Sequence, residues 1–95
     1  MKTYWIYIMS NRARTVMYIG VTNNLERRVF EHQSGAISGF TKLYNCTDLV
    51  YYEEAGSPLP AIEREKELKK WSRNKKDQLI RDFNPLLRDL SVSSR

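Results

Sequence analysis

A single α+β domain of three strands and three helices is expected, and three observations carry that reading. Residues 4–9 and 16–21 are short runs of aromatic and branched side chains on either side of a polar stretch, Ser10-Asn11-Arg12-Ala13-Arg14, which is the pattern of a hairpin. A third such run, residues 48–54, stands between segments with helical spacing of their apolar positions. The chain has 95 residues, of which 41% are hydrophobic, so it can bury one modest core but not two, and disorder is not expected.

Taken in order, the first run has apolar or aromatic residues on both faces, as a central, covered strand requires. Gly20, near the end of the second run, marks either a bulge or a place where another group approaches the backbone. Thr22-Asn23-Asn24 supplies helix-capping side chains ahead of residues 25–33, with Asn24 the expected cap and Ser34-Gly35 the stop. Residues 34–47 contain Gly35, Ser38, Gly39 and Asn45 and show no period, so a long surface loop is expected there. After the third strand, Gly56-Ser57-Pro58 breaks the chain before a helix that starts near Leu59 or Pro60 and runs to about Trp71. A last helix is expected over residues 75–82, closed by Asn84-Pro85. The domain is therefore placed at residues 1–83, with 84–95 as a C-terminal tail whose last five residues fray.

Composition narrows the function classes. No stretch approaches the roughly 18 to 20 continuous apolar residues of a membrane span, and the first ten residues are too short and too aromatic for a signal peptide, so a cytoplasmic protein without membrane partners is expected. One cysteine, Cys46, and one histidine, His32, exclude a multi-cysteine or multi-histidine metal site, and any metal must be held mainly by oxygen. The net charge is +5, concentrated around Arg12, Arg14, Arg27 and Arg28 and again between Lys66 and Lys76, which suits a polyanion such as nucleic acid, or an anionic membrane surface. A solvated basic face with no partner is the plainer alternative.

Helical angles then separate residues that adjacency alone would not. With Leu25 at zero, Arg28 lies near 300° and His32 near 340°, flanking the apolar stripe, while Arg27 lies near 200° and points away (about 100° per residue). Arg28 and His32 sit one turn apart, where a guanidinium and an imidazole can meet an anion, or where Arg28 snorkels over the core and His32 packs beneath it. With Ile62 at zero, Glu65 falls near 300°, inside the stripe, while Glu63 and Glu67 fall near 100° and 140°. A carboxylate in that position needs a cation, either a side chain such as Arg28 or a bound metal. Tyr7 and Tyr18 would pair across the hairpin if its turn were centred near Arg12, placing both hydroxyls on one side, although strand tyrosines commonly just pack with a wet tip.

The set Trp5-Ile6-Tyr7, Tyr18-Ile19-Gly20, residues 22–28 and Glu31-His32, followed by Ala61-Ile62-Glu63-Arg64-Glu65, resembles the GIY-YIG nuclease domain over nearly the whole chain. It is similar to the small stand-alone bacterial members and to the N-terminal nuclease domain of the excision-repair endonuclease. The resemblance implies a three-stranded antiparallel sheet flanked by helices, and divalent-metal-dependent cleavage of a phosphodiester. It matches Tyr7, Tyr18, Arg28, His32 and Glu65 to the catalytic positions and makes Glu65 the ligand of one Mg²⁺ or Mn²⁺. Trp5 stands where the name-giving glycine would be, and Val21 stands at a lysine of the repair branch, a charge that Lys42 or Lys69 could replace. With Arg12, Arg27, Arg73 and Lys76 these two form the expected nucleic-acid contacts.

The implied reaction is in-line attack of water on a backbone phosphate held by Arg28, with Tyr18, Tyr7 or His32 as the general base. DNA is favoured over RNA, recognised by structure and not by sequence, in repair or processing, and a domain that must cut two strands could form a homodimer or join a larger repair complex. Two other readings remain open at this level: a nucleic-acid-binding module of the same fold that hardly cleaves, and a protein-interaction domain built on its Tyr and Trp surface.

Overall fold

A computed structural model describes residues 3–91. Three antiparallel strands, β1 (Tyr4–Ser10), β2 (Met17–Thr22) and β3 (Asp48–Ala55), form one sheet in the order β2-β1-β3. The resulting α+β fold is the three-stranded antiparallel sheet with flanking helices that the resemblance implied. Because β1 is central, its alternate residues feed two separate cores. Ile6 and Ile8 join Ile19, Val50, Ala61, Leu68 and Ile80 on one face, and Tyr7 and Met9 join Val29, Cys46 and Leu49 on the other.

Pairing between β1 and β3 slips by one residue between Ile8 and Met9, so that Ile8 opposes Tyr51 while Met9 opposes Leu49. The extra residue, Val50, breaks the alternation, and Val50 and Tyr51 both enter the first core. The bulge thus lies in β3. Gly20 pairs in register with Tyr7, so of its two sequence readings the close approach is the one realised.

Helix α1 (Leu25–Ser34) is capped by Asn24, whose side chain accepts from the Arg27 N–H at 3.0 Å, and it ends on Gly35 at φ 76°, a left-handed conformation that glycine adopts without a Cβ clash. The segment expected to be a plain loop contains a short helix, α2 (Phe40–Leu43). Helix α3 (Pro58–Lys70) begins at Pro58, a residue or two earlier than expected, because proline at the first helical turn has no N–H to leave unbonded. Helix α4 (Arg73–Phe83) also starts two residues early, because the Ser72 side chain accepts from the Lys75 N–H and caps it. Both α3 and α4 cover the Ile6/Ile8 face, α3 over all three strands and α4 over β3, while α1 covers the Tyr7/Met9 face.

Residues 84–91, set apart in the sequence as a tail, wrap back onto the sheet. Buried Asn84 donates to the carbonyls of Val50 (3.1 Å) and Arg88 (2.8 Å) and accepts from the Arg88 N–H. Asp89 accepts from the Leu49 N–H and from Ser91, so Ser91 is held; the rest of the segment expected to fray, 92–95, lies outside the described residues. Asn84→Ala would strand the buried Val50 carbonyl and leave the turn unsupported, and urea denaturation should show a loss of about 2–3 kcal/mol.

Buried Asp48 secures the hairpin turn. It accepts from Arg12 Nε (3.1 Å) and Arg14 Nη1 (2.8 Å), and Arg14 also donates to the Leu87 carbonyl. Arg73 reaches across from α4 to the carbonyls of Arg14 (2.7 Å) and Thr15 (3.1 Å). These contacts hold Arg14 at φ 61° and place the loop at residues 11–16.

Candidate active site

Tyr7 and Gly20 face each other across the hairpin, and Tyr18 lies diagonally, opposite Met9. The direct Tyr7–Tyr18 pairing considered from the sequence is therefore corrected by a register shift of two. Two is one full side-chain period, so both tyrosines still lie on the α1 face, with ring centroids 6.3 Å apart. The missing side chain of Gly20 is what lets Tyr7 cross β2: a Cβ built there would lie 2.5 Å from the Tyr7 hydroxyl oxygen. Tyr7 is 1% exposed, yet its hydroxyl is carried out to the β2 edge of the sheet, where α1 and α3 flank it.

There Tyr7 Oη and His32 Nε2 are 2.9 Å apart, and the Tyr18 ring meets the imidazole edge-on at 5.4 Å. The charge of Arg28, one turn before His32, favours the ionised form of the Tyr7 hydroxyl, and the charge of Glu65 on α3 opposes it. Burial and the neighbouring Tyr18 push the Tyr7 phenol well above its ordinary pKa, more than Arg28 pulls it down, so it rests protonated. Burial and Arg28 lower the His32 pKa against the opposing pull of Glu31, so the imidazole is neutral near pH 7. Tyr7, Tyr18, Arg28, His32 and Glu65, drawn from four elements, converge on one edge.

Arg28 Nε lies 3.2 Å from Glu31 Oε1 but is buried with no aligned hydrogen bond. The contact is an ion pair and leaves a donor unused, which is what a site awaiting an anionic oxygen looks like. Arg27 by contrast is exposed and only 3.9 Å from Glu31 Oε2. Glu65 is 19% exposed and draws its cation from its own helix: Lys69 Nζ lies 3.0 Å from Oε2, so the side chain that pairs with it is Lys69 and not Arg28.

The donor set fits a hard divalent ion held at one protein oxygen. Glu65 is a half-buried carboxylate that already attracts a cation, and among the described residues no group of three or more His, Cys, Asp or Glu converges to form a closed cage. Such a site leaves the remaining positions to water and phosphate oxygens, as Mg²⁺ and Mn²⁺ accept.

Of the expected nucleic-acid contacts, Lys42 and Lys69 adjoin this edge: Lys42 follows Thr41, which bonds His32, and Lys69 bonds Glu65. Arg12, 85% exposed, and Arg73 are engaged at the hairpin turn, and Lys76 is half-buried on α4. The structure does not bring these three to the Tyr7 cluster. Two residues of α2 were not legible as part of it: buried Thr41, 3.0 Å from His32 Nδ1, and Phe40, which packs on Tyr18 at 6.3 Å. Both lie in an aperiodic stretch that carries no signal of its own.

The family of GIY-YIG catalytic domains matches residues 3–78. This chain belongs to the GIY-YIG family. A UPF0213 protein of Natronomonas pharaonis is 38% identical to it over 79 residues, 83% of this chain and 92% of that protein. One of Staphylococcus saprophyticus is 34% identical, over 84% and 96% of the two chains. The solution NMR structure of a UPF0213 protein from Bacillus halodurans aligns with a TM-score of 0.52 at 31% identity, covering 82% of each chain. Membership in GIY-YIG places the chain in a nuclease family, whose substrate is nucleic acid. In GIY-YIG terms, the first motif is β1 and the second is β2, and the glycine of the second is the floor on which the tyrosine of the first lies.

Proposed function

We propose that this GIY-YIG domain is a divalent-metal-dependent endonuclease that hydrolyses phosphodiester bonds in DNA, acting on structure and not on sequence, in cytoplasmic repair or processing. The observation that carries the reading is the convergence of Tyr7, Tyr18, Arg28, His32 and Glu65 at the β2 edge of the sheet. Arg28 holds the nonbridging oxygens of the scissile phosphate, and its buried, unused Nε is the donor available for them. Glu65 would hold an Mg²⁺ or Mn²⁺ ion, which would supply Lewis-acid stabilisation of charge on the leaving oxygen.

The 2.9 Å contact between Tyr7 and His32 and the directions of their two pKa shifts support Tyr7 acting with His32 as the base. Tyr7 is held protonated, so it is not a resting tyrosinate, but its oxygen can take the proton of water as its own passes to neutral His32 Nε2, 2.9 Å away. Tyr18 has an edge-on ring contact with the imidazole and serves to orient it. Lys69 leaves Glu65 and joins Lys42 and Arg27 on the phosphates flanking the cut. Basic charge, which attracts the backbone without reading bases, supports binding to branches, ends or single strands, and a homodimer or a larger repair complex supplies a second cut.

The Lys69 ammonium on Glu65 favours a second reading, a binding module that hardly cleaves, because it holds the place of the catalytic cation. A labelled panel of single-stranded, duplex, flapped and branched DNA with matching RNA, assayed with Mg²⁺, Mn²⁺ or EDTA, separates the two. Cleavage by wild type, abolished by EDTA and by Glu65→Ala, is the expected result. Salt-sensitive binding without cleavage in any metal would replace the nuclease with the module.

A further inference from the structure

His32 is buried, and both of its ring nitrogens are engaged: Nε2 with Tyr7 Oη at 2.9 Å and Nδ1 with Thr41 Oγ1 at 3.0 Å. Thr41 is buried too, and its backbone carbonyl accepts from the Cys46 N–H at 2.9 Å, so α2 is pinned over the imidazole. A neutral imidazole donates from one nitrogen and accepts at the other, so a chain of two hydroxyls and one imidazole has a polarity. In one polarity Thr41 donates to Nδ1 and Nε2–H donates to Tyr7. Tyr7 then accepts from His32, and His32 has no lone pair left to take its proton. In the other polarity Nδ1–H donates to Thr41, Tyr7 donates to Nε2, and the Tyr7 oxygen keeps a lone pair for water.

The two hydroxyls decide between them. The Tyr7 phenol is a stronger donor than the aliphatic Thr41 hydroxyl, and both lie within hydrogen-bond distance of the ring, so the imidazole lone pair faces Tyr7 and the ring N–H faces Thr41. We infer that Thr41 is a positioning residue: its hydroxyl oxygen accepts from His32 Nδ1–H, fixing the tautomer that leaves Nε2 open toward Tyr7. This inference rests on the nuclease reading for its catalytic consequence but not for the tautomer itself. During hydrolysis the proton of water moves to Tyr7 Oη as the Tyr7 proton moves to Nε2. The hydroxide forms its bond to phosphorus, and the bond from phosphorus to the leaving oxygen breaks. The leaving oxygen takes a proton from solvent water and the proton on His32 returns to solvent, so that no net proton is gained or lost at the site. While His32 is an imidazolium, Thr41 continues to accept from Nδ1–H, so no side chain has to turn.

Because the chain has one histidine, its imidazole nitrogens can be read without ambiguity by long-range ¹H–¹⁵N NMR on ¹⁵N-labelled protein. Thr41→Val removes the hydroxyl at nearly constant shape, and Thr41→Ser retains it. The expected result is a proton on Nδ1 in wild type and Thr41→Ser, and a shift toward Nε2–H in Thr41→Val. With it, kcat should fall roughly 10- to 100-fold in Thr41→Val at unchanged KM, with recovery in Thr41→Ser. A wild-type proton on Nε2 overturns the inference, even if Thr41→Val does not fold. So does a Thr41→Val protein with wild-type tautomer and kcat. The expected tautomers with no cleavage by any variant would support Thr41 in its role and overturn the nuclease reading alone.

Discussion

Arg28→Ala should lower the single-turnover rate of cleavage by roughly 10³-fold, the largest effect expected of any single side chain here. Arg28 carries a buried Nε–H that is ion-paired to Glu31 but has no aligned hydrogen bond, and its charge favours the ionised form of Tyr7. Stability should change by no more than about 1 kcal/mol, because its Glu31 pair is a partly exposed ion pair within one helix. Arg28→Lys should not restore the rate, since a point ammonium cannot address two phosphate oxygens and Tyr7 together as a planar guanidinium does. Substrate binding measured without metal should weaken much less than the rate, because Arg27, Lys42 and Lys69 keep the polyanion attracted. A variant that binds weakly but turns over normally would show that Arg28 only recruits DNA.

Gly20→Ala should damage both stability and activity, and by one cause. Its new Cβ would sit 2.5 Å from Tyr7 Oη and 2.6 Å from Cζ, a separation that packing does not tolerate. The ring cannot simply retreat, since His32 and Tyr18 stand beside it. We expect a loss of about 1–3 kcal/mol in urea denaturation. The 2.9 Å contact to His32 is also displaced, so cleavage should fall by roughly 10²-fold in protein that is still folded. Combining Gly20→Ala with Tyr7→Leu provides the control: the alanine should cost much less stability once the phenol is gone, while activity stays lost. Equal costs in the two backgrounds would mean that the Tyr7 approach is not what Gly20 serves.

How legible these features are in the sequence depends on how local they are. Asn24 as a cap and Gly35 as a stop follow from interactions within one helical turn, and both appear as expected. Arg28 is separable from Arg27, and Glu65 from Glu63, because helical angle depends only on spacing. The stripe of α3 is nevertheless centred on Ala61 and Leu68, with Ile62 at the exposed margin, because the sheet it covers chooses the direction. Hairpin register is less local. The turn lies one residue beyond the expected centre because Asp48, Arg73 and the Leu87 carbonyl, all distant in sequence, hold Arg12 and Arg14. The face of Tyr7 and Tyr18 survives that error only because a register shift of two preserves side-chain direction.

The three strands, the three longer helices, the central position of β1 and the α+β class follow from periodicity, capping and side-chain identity within a few residues, while the assignment of catalytic positions comes only with the family resemblance. The partners that individual residues meet follow from neither. Lys69 takes Glu65, Thr41 takes His32, Asp48 draws in Arg12, and Arg73 turns to the hairpin carbonyls, and each of these pairings is visible only in the folded chain. A charge or a hydroxyl has many acceptable partners of equal chemistry, and spacing along the chain does not rank them. The close packing of two cores around three short strands does, by leaving each buried polar atom one geometry in which it can be satisfied.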